Sequence, residues 1–284
     1  MAVYKLTYQG YDGPRTPAGS RFLVLYRYAR RAIFHSKLLL GFFVVCFLVP
    51  LFNLLIVYAM HNPAFLNRLN IHLVININRG FFNTYLKYQS FMAFLFTAFA
   101  APGLIAPDLA NGALSLYLSR PLRRVEYLAG KFAVLFVLLS ELTWIPGLVL
   151  FAVQCSVGGP EWRAANYWIG FSLIEAGVVW VVVISLLALA LSAWVKWRIV
   201  AGAALLGIYF FGAGFGQAIN LVLQTQNGYL LDLMQLHLIV WSGIFRLAPP
   251  PLSLEVEAWA VLAAICAASL WLILKKVRPL EVVR

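Results

Sequence analysis

Long apolar runs separated by short polar segments make up most of this chain. Six runs are long enough to cross a membrane as helices, at roughly residues 38–60, 90–107, 129–155, 166–195, 199–225 and 258–274. About 20 consecutive apolar residues span the hydrocarbon core of a bilayer as an α-helix. The pattern therefore predicts an all-α integral membrane protein, with six transmembrane helices in one domain over residues 1–284.

Prolines interrupt the first two predicted spans. Pro50 lies inside the first, and Pro102 and Pro107 end or kink the second, which is the shortest. A proline has no N–H group, so it leaves a helix carbonyl without its usual donor. We expect a neighbouring helix to supply a donor at Pro50.

Two other segments carry weaker apolar patterns. In the predicted cytoplasmic leader, residues 1–37, the stretch 20–37 alternates apolar side chains with four arginines, which indicates an amphipathic helix at the membrane interface. A solvated basic leader is the alternative. Residues 226–257 are broken by Asp232, His237 and Arg246, so they predict short outer-face or re-entrant helices ending at three prolines instead of a seventh span.

Composition and charge agree with a membrane protein. The chain is 63% hydrophobic and 11% charged, with a mean hydropathy of +0.85. Its net charge of +12 comes mostly from basic residues beside apolar runs, where they orient helices and meet anionic lipids, so we do not expect nucleic acid to bind. With both termini in the cytoplasm, only five of the 22 Lys and Arg fall outside: Arg68, Arg79, Lys87, Arg163 and Arg246.

Motifs for catalysis, nucleotide binding and metal binding are missing from the sequence. Gly130 and Lys131 are followed by Phe132, so the phosphate-binding pattern G-x-x-x-x-G-K-[ST] is not formed. The cysteines, Cys46, Cys155 and Cys266, lie in separate apolar runs without ligand-like spacing. We therefore predict no catalytic residues, no metal site and no cofactor bound by this chain.

Polar residues inside the predicted spans are candidates for a transport path. Glu141 and Glu175 lie at similar depth in the third and fourth spans, and Gln217 and Asn220 lie in the fifth. Acids in hydrocarbon are costly, so these two line a polar cavity or form a proton or cation site, or they bond polar groups between helices. The pattern indicates no basic partner at that depth.

Small residues are concentrated in the fifth span. Gly207, Gly212 and Gly216 allow close approach of another helix, which predicts a subunit interface or a hinge, with tight packing inside one subunit as the alternative.

A polar block, residues 106–132, separates the second and third spans on the cytoplasmic side. Residues 109–119 predict a short amphipathic helix with Asp108 as a cap at its N-terminus. Such a helix, held between two spans, is suited to receiving motion from another protein.

This block resembles the type-2 permease subunits of ATP-binding-cassette (ABC) transporters, mostly exporters. The family often shows an acidic residue, a G-x-L-x-L-x-L-[SA]-R-P run and then R-x-x-[YF]-x-x-G-K. The chain supplies these positions with Asp108, Gly112, Leu114, Leu116, Leu118, Ser119, Arg120, Pro121, Arg124, Tyr127, Gly130 and Lys131. Family members often carry Glu before the run, where this chain has Asp108 and Asn111.

The resemblance implies a function and partners. Residues 108–125 would be the coupling helix that docks on a separate cytoplasmic ABC ATPase, using Asp108, Leu109, Leu114, Leu116, Tyr117, Leu118, Arg120, Pro121 and Arg124. Two ATPase subunits carrying ATP and Mg²⁺ would assemble with two permease copies, or with a homologue, in a bacterial or archaeal cytoplasmic membrane. A proton-coupled secondary transporter using Glu141 and Glu175 is the alternative.

Overall fold

The computed structural model describes residues 20–62, 66, 75–112, 123–195, 197–247 and 251–277. Within these ranges the chain is helical and contains no β-strand. The helices are α1 (Arg21–His35), α2 (Lys37–Cys46), α3 (Leu48–Met60), α4 (Arg79–Ala100), α5 (Pro102–Ala110), α6 (Arg124–Leu142), α7 (Trp144–Val157), α8 (Gly159–Asn166), α9 (Trp168–Trp194), α10 (Arg198–Leu223), α11 (Leu233–Ile244) and α12 (Leu252–Lys276), with a 3-10 helix at Asn227–Leu231.

Six helical stretches in the described ranges are long and apolar enough to cross a membrane, as the sequence predicts. They are Lys37–Met60, Arg79–Ala110, Arg124–Val157, Trp168–Trp194, Arg198–Leu223 and Leu252–Lys276. The protein is thus an all-α, multi-pass membrane protein. We call the end of the bundle that holds Asp108 and Lys131 the inner end, after the predicted topology, and the opposite end the outer end.

The second span is longer than predicted, because it begins at Arg79 and not near residue 90. Asn78 caps it, with Oδ1 accepting from the backbone N–H of Gly80 at 2.9 Å and of Phe81 at 3.3 Å. The polar residues of this first part share their helix with fully buried Phe82 and Tyr85, so packing on one face compensates for low average hydropathy. The third and sixth spans also begin earlier than predicted, at Arg124 and Leu252.

The fourth span is the centre of the bundle. Helix α9 packs against helices of the second, third, fifth and sixth spans. It is buried along most of its length and has no polar face, as expected of a helix surrounded by other helices. The first, fifth and sixth spans lie at the periphery, where many apolar side chains remain exposed.

The side chain of Gln89 bonds two backbone carbonyls that prolines in the first and third spans leave without a helical donor. Pro50 leaves the carbonyl of Cys46 without a helical donor, and Pro146 does the same to Leu142. The Gln89 Nε2 group donates to both carbonyls, to Cys46 at 3.2 Å. The expectation that a neighbouring helix satisfies the carbonyl freed at Pro50 is therefore confirmed. Because Leu142 is the last residue of α6, the same amide also holds the break between α6 and α7 against the second span.

The segment before the last span forms short helices, as predicted. The 3-10 helix is followed by α11, whose 12 residues reach only about 18 Å at 1.5 Å per residue. Asp232 caps α11, since its Oδ1 accepts from the N–H groups of Met234 and Gln235. Helix α11 packs against α9, α10 and α12, and so it covers part of the outer half of the bundle.

Helix α1 is amphipathic, as predicted, but one of its faces packs on protein. Ala29 and Ile33 are buried, and α1 lies along α6. Its apolar residues Leu23, Val24 and Tyr28 remain exposed on the other side. The helix therefore combines a face held by the third span with a face free to meet the membrane surface.

Candidate coupling site at the inner end

Three residues of the motif meet at the inner end of the bundle. Asp108 Oδ2 lies 2.8 Å from Lys131 Nζ and accepts a 2.8 Å hydrogen bond from the hydroxyl of Tyr127. The Lys131 ammonium also lies 5.5 Å from the centre of the Tyr127 ring. We call Asp108, Tyr127 and Lys131 the inner-end clasp, because they join the last turn of the second span to the first turns of the third.

The sequence spacing explains how the clasp forms. Tyr127 and Lys131 are four residues apart, so both lie on one face of α6. Side chains of the ion pair are only 17% exposed at Asp108 and 9% exposed at Lys131. Removing one partner of such a pair leaves the other charge buried without compensation, which is strongly destabilising.

Asp108 does not cap a helix at its N-terminus, and that prediction is wrong. Helix α5 begins at Pro102, passes through Asp108 and Leu109 and ends at Ala110. Gly112 follows with φ of +65°, a conformation that glycine adopts readily and that ends the helix. Asp108 thus lies in the last turn of α5. Its carboxylate bonds Lys131 and Tyr127 and does not cap a following helix.

On the far side of residues 113–122, the third span begins with its own capping interaction. The Glu126 carboxylate accepts a 3.0 Å hydrogen bond from the backbone N–H of Arg123. Arg124 is exposed just beyond it. The remaining predicted coupling residues lie outside the described residues: Leu114, Leu116, Tyr117, Leu118, Arg120 and Pro121.

Gly130 brings the N-terminal helix to the same place. A methyl group at Gly130 would lie 3.0 Å from Cβ of Leu25 and 3.1 Å from the carbonyl oxygen of Phe22. At the motif glycine, α1 therefore lies in close contact with α6. One short stretch of α6, residues 127–131, thus makes two contacts. Tyr127 and Lys131 bond Asp108 of the second span, and Gly130 lies against α1.

Glu141 has a basic partner, contrary to the prediction from its depth. Arg30 Nη2 lies 2.9 Å from Oε1 and 3.1 Å from Oε2 of Glu141, and Arg30 Nη1 donates to Tyr26 at 2.8 Å. The depth argument failed because a long arginine side chain carries its charge far from its own backbone. The periodicity of residues 20–37 predicted a helix at the membrane interface, so it did not indicate that α1 packs on the third span or that Arg30 reaches Glu141.

Glu141 also borders a cavity of about 400 Å³ between the first and third spans. Apolar residues supply the rest of the lining, among them Phe43, Phe47 and Ile145. Glu175 does not line this cavity: it is exposed on α9 and makes no hydrogen bond or ion pair within the described ranges. The structure does not bring the two acids into one site.

The two polar residues of the fifth span, Gln217 and Asn220, have different environments. Asn220 Oδ1 accepts a 2.7 Å hydrogen bond from the backbone N–H of Gly228, so it holds the 3-10 helix against α10. Gln217 is exposed. Asn220 therefore has a structural task near the outer end.

Two of the three candidate interface glycines pack within the chain. A methyl group at Gly212 would lie 2.5 Å from the carbonyl oxygen of Leu231, and one at Gly216 would collide with the carbonyl oxygen of Gly228. Gly207 meets only the ring of Phe211 on its own helix. A subunit interface on α10 stays a prediction, and it no longer rests on Gly212 and Gly216.

Comparison with protein-family models finds no match for this chain, and comparison with curated proteins finds none either. By its structure, the chain is an all-α, multi-pass membrane protein. It carries a packed, charged clasp at the inner end of its second and third spans.

Proposed function

We propose that this protein is the permease subunit of an ABC transporter, of the exporter type, and that residues 108–125 couple it to a separate ATPase. The inner-end clasp is the observation that carries the proposal. It joins Asp108, which precedes residues 113–122 in the chain, to Tyr127 and Lys131, which follow them, through one buried ion pair and one hydrogen bond. A displacement applied to that segment would therefore move two transmembrane helices together.

Helix α1 extends the coupling path. It contacts α6 at Gly130 and again at Glu141, which lies eleven residues further along, or about 16 Å at 1.5 Å per residue. A force on the start of the third span would reach the N-terminal helix through both contacts. ATP and Mg²⁺ bind to the partner ATPase, and this chain supplies the path through the membrane.

A second permease copy completes the path in this proposal. The outward face of α10 carries exposed Phe210, Phe211 and Phe215, with Gly214 in the recess of about 270 Å³ between them. A small residue such as Gly214 lets another helix approach closely in a membrane. The dimer contact would therefore use the aromatic face of α10 and not its Gly212–Gly216 face.

Purification of the full-length protein from its native host tests the coupling. We expect a soluble protein with the G-x-x-x-x-G-K-[ST] motif and vanadate-sensitive ATPase activity to co-purify. The double variant Leu114→Asp, Leu116→Asp should lose it. The control Leu231→Asp makes the same kind of change at an exposed residue of the outer end, and it should retain the ATPase.

Retention of the ATPase by the double variant would refute coupling through this segment. If no ATPase co-purifies, and reconstituted protein transports its substrate on a proton gradient alone, the secondary-transporter alternative is favoured. The Arg30 pairing of Glu141 and the separate position of Glu175 count against that alternative.

A further inference from the structure

A recess of about 780 Å³ opens between the inner halves of the second and fifth spans. Its walls are almost entirely apolar, with Ala98 and Phe99 on α4 facing Ala203 and Leu206 on α10. Trp197, which is 75% exposed, stands at its inner edge. The recess is thus an apolar slot whose mouth lies at the start of the fifth span, and tryptophan at the end of a span is typical of the membrane–water interface.

Backbone packing explains why the slot exists. Pro102 cannot donate to the carbonyl of Ala98, and that carbonyl instead lies against Gly202 of α10, where a methyl group would be only 2.5 Å away. The two helices touch backbone to backbone at this point. The residues at the contact, Ala98, Gly202 and Ala203, are small, so they leave space between the larger side chains that border the slot.

Among the residues that the structure describes, Arg198 is the only charged one that lines the slot. Its guanidinium lies on Gly103, where a methyl group would be 2.8 Å from Nη2 and 3.3 Å from Cζ. Within the described ranges Arg198 makes no hydrogen bond or ion pair, and its side chain is exposed. Arg198 is thus an exposed cation that lies against Gly103 at the mouth of an apolar slot, and no carboxylate among the described residues pairs with it.

We propose that this slot binds an anionic phospholipid, with the phosphate on Arg198 and an acyl chain along Ala98, Ala203 and Leu206. A guanidinium presents paired donors that match phosphate oxygens, and basic pockets between membrane helices bind anionic headgroups. The apolar walls select a lipid over a soluble phosphate, because only a lipid buries their surface from the membrane side. The site does not depend on the ATPase partner.

Native mass spectrometry of the full-length protein in detergent tests the site, with palmitoyl-oleoyl phosphatidylglycerol and the matching phosphatidylcholine as probes. We expect tighter retention of phosphatidylglycerol by the wild type. Arg198→Gln should weaken it about fivefold, the size expected for removing one basic residue from an anionic lipid surface. Ala203→Leu keeps the cation and fills the slot, so it should weaken binding of the same lipid independently of any folding defect in Arg198→Gln.

Arg163→Gln is the matched control, because it removes an exposed arginine at the outer end and should leave lipid retention unchanged. Glycerol 3-phosphate should not displace the lipid. The proposal is overturned if Arg198→Gln retains phosphatidylglycerol like the wild type, or if the wild type does not distinguish the two lipids. Displacement by glycerol 3-phosphate at concentrations comparable to the lipid would likewise show a headgroup site for soluble phosphate and overturn it.

Discussion

At the scale of single residues, a few buried polar groups hold the bundle at its irregular points. Gln89 bonds the carbonyls freed by Pro50 and Pro146, and Tyr85 donates at 2.9 Å to the carbonyl of Thr143 at the break between α6 and α7. In hydrocarbon each such carbonyl lacks water as an alternative partner. The irregular backbone of the first and third spans therefore depends on the second.

Replacing Gln89 by leucine should destabilise the protein. Two buried carbonyls lose their donor, and interhelical hydrogen bonds in membranes contribute on average about 0.6 kcal/mol each, so we expect about 1 to 2 kcal/mol in total. Thermal unfolding in detergent measures the change. Gln217→Leu makes the same substitution at an exposed position and should leave the midpoint within error. Equal midpoints for both variants would contradict the role of Gln89.

His237 should make stability depend on pH. Burial lowers its pKa from 6.5 to about 4, while Nδ1 bonds the carbonyl of Leu233 at 2.7 Å. Between these two pH values the unfolded chain binds a proton that the folded chain does not, so stability falls as the pH decreases from about 6.5 towards 4.

Unfolding midpoints at pH 7.5 and pH 5 measure this effect. We expect His237→Gln to lose part of the pH dependence. The variant Asn53→Leu also removes a side chain that bonds the carbonyl four residues earlier, but it removes no titratable group, so it should keep the wild-type slope. An unchanged slope in His237→Gln would show that other groups govern the pH dependence.

At the scale of elements, the inner end is built by pairs of helices that approach closely. Helix α1 meets α6 at Gly130, α10 meets α4 at Gly202, and the clasp joins α5 to α6. The apolar pattern predicted the spans because their length and hydropathy are local properties. It placed the starts of three spans too late. Polar residues in the first turns of those helices lower the average hydropathy, but the helix continues through them.

The substitution Gly130→Leu should displace α1 from the third span. A β-carbon there already reaches within 3.1 Å of the backbone of Phe22, so a larger side chain must push the helix away. We expect faster proteolysis within residues 21–35 in detergent. Gly41→Leu is the control, since nothing lies within 4 Å of a methyl group at that glycine. Identical cleavage rates would mean that α1 is held elsewhere.

At the scale of the whole molecule, the proposed topology places the clasp and both termini in the cytoplasm. Single cysteines in a background without native cysteines test it in intact cells with a membrane-impermeant maleimide. Cysteines at Glu161 and Gln226 should be labelled, and those at Arg123 and Lys275 should be labelled only after permeabilisation. The reverse pattern would invert the topology and remove the coupling site from any cytoplasmic ATPase.

The sequence by itself determined the class of protein, the number of spans and the short helices before the last span, because apolar length and charge placement act locally along the chain. Tertiary structure decided the partners. Arg30 meets Glu141, Asp108 meets Lys131, and Asn220 meets Gly228 across 111, 23 and 8 residues of sequence. Such pairs depend on which helix faces pack together and on side-chain reach, and neither can be read from periodicity. For the same reason the glycines of the fifth span were assigned to a subunit interface, whereas two of them make room for the chain's own backbone.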